Sequence, residues 1–261
     1  MIENITILGG HGKTGAADCV ERIDMAMGDV VSVVGPTGSG KTTLINDIEL
    51  FASGDTPTGR RILVDHRSPP DEYRDNPACN PIARITQHTN FLSDLPVIEF
   101  LQIHAGIRCS EPARIDGLIE ETLGFANQLT GEPIIRDNHM TELSGGQTRA
   151  LLIADATIIC DTPIVLLDEV ENAGIHRTRA LELLRQRRKI FIFITHDPRI
   201  ALLSDYRIVM AQGRIVDIVH TDDEERVCAH RVGALDELLS RLRDKLRGGG
   251  RIASTDMVVS L

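Results

Sequence analysis

The sequence predicts an α/β fold on a mostly parallel central sheet, with an antiparallel β portion at the N-terminus and a helical lobe inserted in the middle. Three observations predict it. Val30–Val34, Ile164–Leu167 and Ile190–Ile194 are continuous apolar runs, the pattern of strands buried on both faces of a parallel sheet. Helical periodicity separates such runs, as it does in α/β domains. Between Gln87 and Asp161 the chain carries helical patterns with no strand among them, which places a separate lobe there.

The elements follow in order. Ile5 to Leu8 reads as a strand. The glycine-rich GGHGKTG at 9–15 is spaced wrongly for a ligand loop and reads as a tight turn. Val20 to Met27 largely alternates as a strand does, and Gly28-Asp29 turns the chain into Val30–Val34. The stretch GPTGSGKTT at 35–43 comes next, and Leu44, Ile45, Ile48 and Phe51 have the spacing of a helix leading out of it. Arg61 to Asp65 and Ile82 to Thr86 read as strands on either side of a proline-rich loop. Ser93 or Asp94 is expected to start a helix running to Ala105, and a second helix covers Pro112 to Leu129. LSGGQ at 143–147 opens another helix. After the strand Ile164–Leu167, a helix is expected over Arg177–Arg187 and a strand over Ile190–Thr195. Residues 206–219 form a hairpin turning at Gln212-Gly213. Beyond Glu224, Leu235, Leu238, Leu239, Leu242 and Leu246 mark an amphipathic helix. It has two readings, packing on its own domain or pairing with a second copy. The tail from Gly248 is expected to be flexible.

GPTGSGKTT fits G-x-x-x-x-G-K-[ST] between a strand and a helix, which is the context a phosphate-binding loop requires. Gly35, Gly38 and Gly40 let the backbone approach a phosphate closely. Pro36, Thr37, Ser39 and Thr43 complete the loop and the start of the helix. Successive N–H groups at a helix N-terminus then attract an anion. Lys41 has the reach to touch terminal phosphates, and the Thr42 hydroxyl is a ligand for Mg²⁺. Asp168 and Glu169 follow a buried strand, so both lie at the carboxyl end of the sheet, where such loops also lie.

Composition narrows the function. The net charge of −10 argues against a nucleic-acid surface, since those are usually basic. The basic cluster Arg185, Arg187, Arg188 and Lys189 fits cations at a helix end, with contact to RNA or lipid as the other reading. The five cysteines show neither a C-x-x-C pair nor zinc spacing and suit reduced thiols in a cytoplasmic protein. No signal peptide and no apolar run of membrane-spanning length is apparent.

In order along the chain, GPTGSGKTT, Gln87, LSGGQ, IVLLDE and ITHD resemble the motifs of the ATP-binding cassette (ABC) ATPases, over roughly residues 2–220. The resemblance implies a P-loop NTPase cassette at 1–220, with its helical lobe at about 88–160. The C-terminal helix at 221–247 and the tail at 248–261 lie beyond it. It implies ATP and Mg²⁺ as ligands. Asp168, Thr42 and Gln87 would hold the metal, Glu169 would be the general base, and His196 would contact the γ-phosphate. Ser144, Gly145, Gly146 and Gln147 would clasp the nucleotide bound to a second cassette, in a head-to-tail homodimer or heterodimer. His11 is the nearest candidate to stack on adenine, with apolar contacts as the other reading.

Three departures stand out, the first being that no aromatic lies near position 12, where the family usually has one to stack on adenine. Asn172–Ile175 replaces the usual SALD, and Asp155 stands where the family often has arginine in Ala-Arg-Ala. The family implies a cytoplasmic subunit that drives an integral membrane partner on another chain, at the inner face of the membrane. The alternative is a soluble cassette that remodels a cytosolic complex, as iron–sulfur assembly cassettes do. No nucleic-acid partner is expected.

Overall fold

A computed structural model describes residues 2–169 and 177–257. Strands β1 (Asn4–Leu8), β2 (Arg22–Ala26) and β4 (Arg61–Val64) form an antiparallel sheet in the order β2-β1-β4. The larger sheet contains β3 (Val30–Val34), β5 (Ile82–Thr86), β6 (Ile164–Asp168), β7 (Ile190–Ile194), β8 (Tyr206–Ala211) and β9 (Arg214–His220). Its order is β5-β6-β7-β3-β8-β9, parallel throughout except for the hairpin strand β9. The described helices are α1 (Lys41–Glu49), α2 (Glu72–Asp75), α3 (Val97–Arg108), α4 (Pro112–Leu129), α5 (Gly145–Thr157), α6 (Arg177–Arg185), α7 (Pro198–Leu203) and α8 (Asp223–Arg247).

Alternation along the central strands divides the core in two. Val165, Leu167, Phe191 and Phe193 pack on the side of the α3–α5 helices and α6. Ile164, Leu166, Ile190, Ile192 and Ile194 pack on the side of α1 and the three-stranded sheet. A two-residue side-chain period puts neighbours on opposite faces, so each apolar strand serves both cores at once. Register then gathers the strand ends. Thr86 pairs with Asp168, Asp168 with Ile194, and Val33 with Ile194. The chain leaving β3, β5, β6 and β7 therefore emerges along one edge of the sheet.

Several boundaries differ from the sequence reading, for identifiable reasons. The helix expected from Ser93 or Asp94 begins at Val97, with Pro96 in an extended conformation before it. Proline disfavours the helical region for the residue ahead of it, and the Ser93 hydroxyl instead accepts the Leu95 N–H at 3.3 Å. That helix also runs on past Ala105 to Arg108. The helix expected to reach Arg187 ends at Arg185, and the strand expected to reach Thr195 ends at Ile194. The short α7 was not expected. Asp197 caps it by accepting the Arg199 N–H, and Pro198 takes its first position.

Helix α8 packs on its own domain through the buried Ala229, Gly233, Leu238 and Leu242. Its Leu235, Leu239 and Leu246 stay exposed. The tail expected to be flexible is described as far as Met257, where Asp256 accepts from Lys245 Nζ on α8 at 2.6 Å. The Asn172–Ile175 segment lies outside the described residues.

Candidate functional site

The phosphate loop links β3 to α1 and keeps the shape its glycines permit. Gly40 sits before α1 at φ 100°, and a Cβ there would lie 2.7 Å from the Gly213 Cα. Only glycine tolerates both the left-handed backbone and that contact. Ser39 is tied to the β8–β9 turn, its carbonyl accepting the Gly213 N–H at 2.7 Å. Its buried hydroxyl has no hydrogen-bond partner among the described residues.

A cavity of about 300 Å³ opens in front of the loop. Thr37, Gly38, Gly40, Lys41, Thr42 and Thr43 line one side, and Asp168, Glu169, Ile194 and His196 the other. Gly35 and Pro36 stand behind the lining, where their carbonyls accept from Lys41 Nζ at 2.8 and 3.2 Å. Burial pushes the Lys41 ammonium below the usual lysine range, against the opposing pull of Glu169 and Asp168. Within the site, Lys41 is thus a desolvated cation whose only hydrogen bonds shown are to its own loop, which suits an anionic ligand.

The acidic wall comes from the β6 end, and His196 joins it from the β7 exit. Asp168 accepts from Arg84 Nη2 at 3.3 Å, and the same guanidinium reaches Glu49 at 2.7 Å. Glu169 has φ 51°, in the left-handed region, which costs a non-glycine residue on the order of 1 kcal/mol. Its N–H donates to the Ile194 carbonyl at 3.0 Å, which holds the turn. The turned side chain places Glu169 Oε1 3.8 Å from His196 Nε2. The site therefore combines a cation in an amide-rich loop with two carboxylates and an imidazole.

The other expected residues lie around this cavity. Gln87 follows β5 and is exposed outside the lining. Its carbonyl accepts from Arg149 Nη2 of α5, which ties the β5 end to the helical lobe. Ser144 caps α5, accepting the Gln147 N–H at 3.3 Å while its own N–H donates to the Gln147 side chain at 2.9 Å. This capping box leaves Ser144 and Gly145 exposed and Gly146 half-exposed at a helix start, away from the cavity. His11 is exposed and sits against Gly12 and Gly59, also outside the lining.

The sequence reading missed three contributors. Lys13, in the 9–15 turn, lines the cavity and donates to the Gly38 carbonyl at 3.2 Å. Its only signal was a lysine in a glycine-rich turn. Arg84 grips Asp168 from β5, and a charged residue in an otherwise apolar strand was the clue. Arg149 joins α5 to Gln87, and nothing in the local pattern marked it.

Comparison with known proteins identifies the family. The family model described as ABC transporter matches residues 22–172. An uncharacterised ABC transporter ATP-binding protein of Methanocaldococcus jannaschii is 46% identical over 256 residues, covering 98% of this chain and 97% of the relative. A methionine import ATP-binding protein of Chlamydia pneumoniae is 27% identical, covering 75% of this chain and 59% of the relative. Among solved structures, cbiO1 of Clostridium perfringens, part of the cbiONQ ABC transporter complex, superposes with TM-score 0.65 at 20% identity. That match covers 93% of this chain and 97% of the other. A dimeric ATP-binding cassette bound to ADP and Pi superposes with TM-score 0.62 at 21% identity, covering 84% and 99%. Those two likenesses show the fold, and the family match with the full-length relative shows the lineage. The chain belongs to the ABC transporter family and is an ATP-hydrolysing cassette of that family.

Proposed function

We propose that this cassette binds ATP in the cavity in front of the phosphate loop, closes head to tail on a second cassette, and drives a membrane subunit of a transporter. The observation that carries the reading is the convergence of Lys41, Thr42, Asp168, Glu169 and His196 on one cavity. The family's ATP hydrolysis needs such a set in one place. We assign the cassette to residues 1–220, with the helical lobe at about 88–160 and α8 as an appendage.

In this reading Lys41 exchanges its loop carbonyls for phosphate oxygens, while Gly35, Gly38 and Gly40 are among the residues that supply N–H donors. Glu169 takes a proton from the attacking water as that water's oxygen bonds to the γ-phosphorus. The bond from phosphorus to the bridging oxygen breaks, and ADP leaves with the electron pair. His196 steadies Glu169 and the γ-phosphate. Thr42 and Asp168 offer hard oxygen donors on one cavity, a set that fits Mg²⁺, with Gln87 joining from the end of the neighbouring strand. Mg²⁺, when bound, neutralises developing phosphate charge.

The Ser144–Gln147 start of α5, exposed at Ser144 and Gly145, is the surface that meets the second cassette's nucleotide. Homodimer and heterodimer are both compatible with this. His11 contacts adenine from the loop beside the cavity. We place the transport path on a membrane partner; no helix among the described residues is long and apolar enough to cross a membrane. The relatives' names, ABC transporter ATP-binding protein and methionine import ATP-binding protein, support that partner. The cytoplasmic face of the membrane is the place for such a subunit.

The test uses two variants. Glu169→Gln is expected to keep ATP binding, lower turnover by about 10²–10⁴, and become dimeric in ATP by light scattering. Lys41→Ala is expected to lose ATP binding. Normal turnover in both variants would refute the site, and a Glu169→Gln chain that binds ATP yet stays monomeric would refute the shared-nucleotide dimer.

A further inference from the structure

A second cluster of reactive side chains lies in the helical lobe, away from the nucleotide cavity. His104 on α3 meets Asp155 on α5, with Nδ1 2.8 Å from Oδ1. Cys160 Sγ lies 3.9 Å from His104 Nε2 and 3.7 Å from Asp155 Oδ2. One ligand atom from each of the three residues lies within 4.8 Å of the other two. Among the described residues, no other trio of His, Cys, Asp or Glu is identified with this arrangement.

Backbone structure builds the cluster. The chain leaving α5 folds back on itself, the Cys160 N–H donating to the Asp155 carbonyl at 2.9 Å and the Thr162 N–H to the Ala156 carbonyl at 3.0 Å. This turn returns the thiol to Asp155 within a five-residue step. Asp155 is buried, at 8% exposure, and a buried carboxylate needs specific partners. It is also the residue that departs from the Ala-Arg-Ala pattern. The substitution thus replaces a cation with an acid at the point where an imidazole and a thiol converge.

The donor set decides the ligand. Imidazole, carboxylate and thiolate together suit a borderline-soft transition ion of the zinc class, whereas Mg²⁺ and Ca²⁺ take oxygen ligands. The two sulfur distances lie close to the edge of a tetrahedral zinc site, about 3.5 Å. We propose that His104, Asp155 and Cys160 bind a divalent transition-metal ion of the zinc class, fastening α3 to the end of α5. Water fills the remaining coordination position at this half-exposed site. The ion also steadies the Cys160 loop that leads directly into β6, and β6 ends at Asp168.

Co²⁺ added to the metal-free, full-length chain tests this. One equivalent is expected to give the thiolate-to-cobalt charge-transfer absorption and the intense visible bands of four-coordinate cobalt, with Zn²⁺ displacing both. Cys160→Ser is expected to abolish the charge-transfer band, Cys109→Ser to leave it intact, and His104→Gln to weaken cobalt binding at least about tenfold. A readout that needs no variant is alkylation of the native chain followed by mass spectrometry. One equivalent of Zn²⁺ is expected to protect Cys160 while the exposed Cys19 and Cys228 react as before. Absence of a thiolate band, its persistence in Cys160→Ser, or Cys160 alkylation indifferent to Zn²⁺ would each overturn the proposal. His104 and Asp155 would then be an ion pair with a thiol beside it.

Discussion

Lys13 and Lys41 face the same cavity but differ in how they are held. Lys41 is buried, and its ammonium is bound by two carbonyls of its own loop. Lys13 is exposed and bonded once, to the Gly38 carbonyl. A solvated cation near a ligand contributes roughly 0.2–1 kcal/mol. Lys13→Ala is therefore expected to raise the ATP concentration at half-maximal turnover by no more than about fivefold, with kcat nearly unchanged. Steady-state ATP titrations check this, and a loss as complete as that expected of Lys41→Ala would make Lys13 a core member of the site. The contrast also explains what the sequence made legible. Lys41, Asp168 and Glu169 announce themselves because motif and strand end fix their places. Lys13 is brought in by the return of the 9–15 turn onto the phosphate loop, a tertiary contact with no local signature.

At the scale of elements, Arg60 joins pieces that are far apart in the chain. It is fully buried just before β4, and its guanidinium donates to both oxygens of Asp18, to Asp47 of α1 and to the Gly213 carbonyl of the β8–β9 turn. The Gly213 N–H in turn holds Ser39 of the phosphate loop, so the network braces the loop from behind. Arg60→Leu strands two buried carboxylates and is expected to cost roughly 3–5 kcal/mol of stability, read from urea unfolding at neutral pH. Asp18 adds a pH dependence. Burial raises its carboxyl pKa, but Arg60 and the N–H groups of Gly10 and Ile215 outweigh that and hold it below its ordinary value of 3.8. Its folded pKa is depressed, so its contribution is complete above the ordinary value and is lost as pH falls below it. In Arg60→Leu the burial effect is less opposed, so acid unfolding is expected to begin at higher pH than in the native chain. Coincident acid transitions would contradict this. Nothing in the sequence marked Arg60, because a buried ion network has no periodicity. Helix α7 is the opposite case, since its Asp197-Pro198 start is a local cap signal that coincides with the end of the ITHD motif.

At the scale of the molecule, the six-stranded sheet carries one core on each face and gathers the ends of four strands on one edge, so the site inherits the rigidity of both cores. The exception is the β7 exit. His196 is followed at once by α7, and α7 is covered by α8 rather than by the sheet alone. Arg199 of α7 lies 3.8 Å from Asp236 of α8, and a Cβ on Gly233 would lie 2.9 Å from the Arg199 guanidinium. Farther along the chain, Arg207 of β8 pairs with Glu225 at 2.6 Å. The C-terminal helix therefore supports the segment that positions His196, although it lies outside the family model. Gly233→Ala asks only the flexible end of Arg199 to move, and is expected to change little. Gly233→Leu must displace Arg199 and lift α8 from α7, an overpacking cost of about 1–3 kcal/mol. Its turnover is expected to fall while ATP binding, which rests on the phosphate loop, is retained. Melting curves with parallel ATP-binding and turnover assays separate the two effects. Loss of binding together with turnover would mean that α8 supports the whole cassette, and native turnover in a destabilised Gly233→Leu would uncouple the helix from His196.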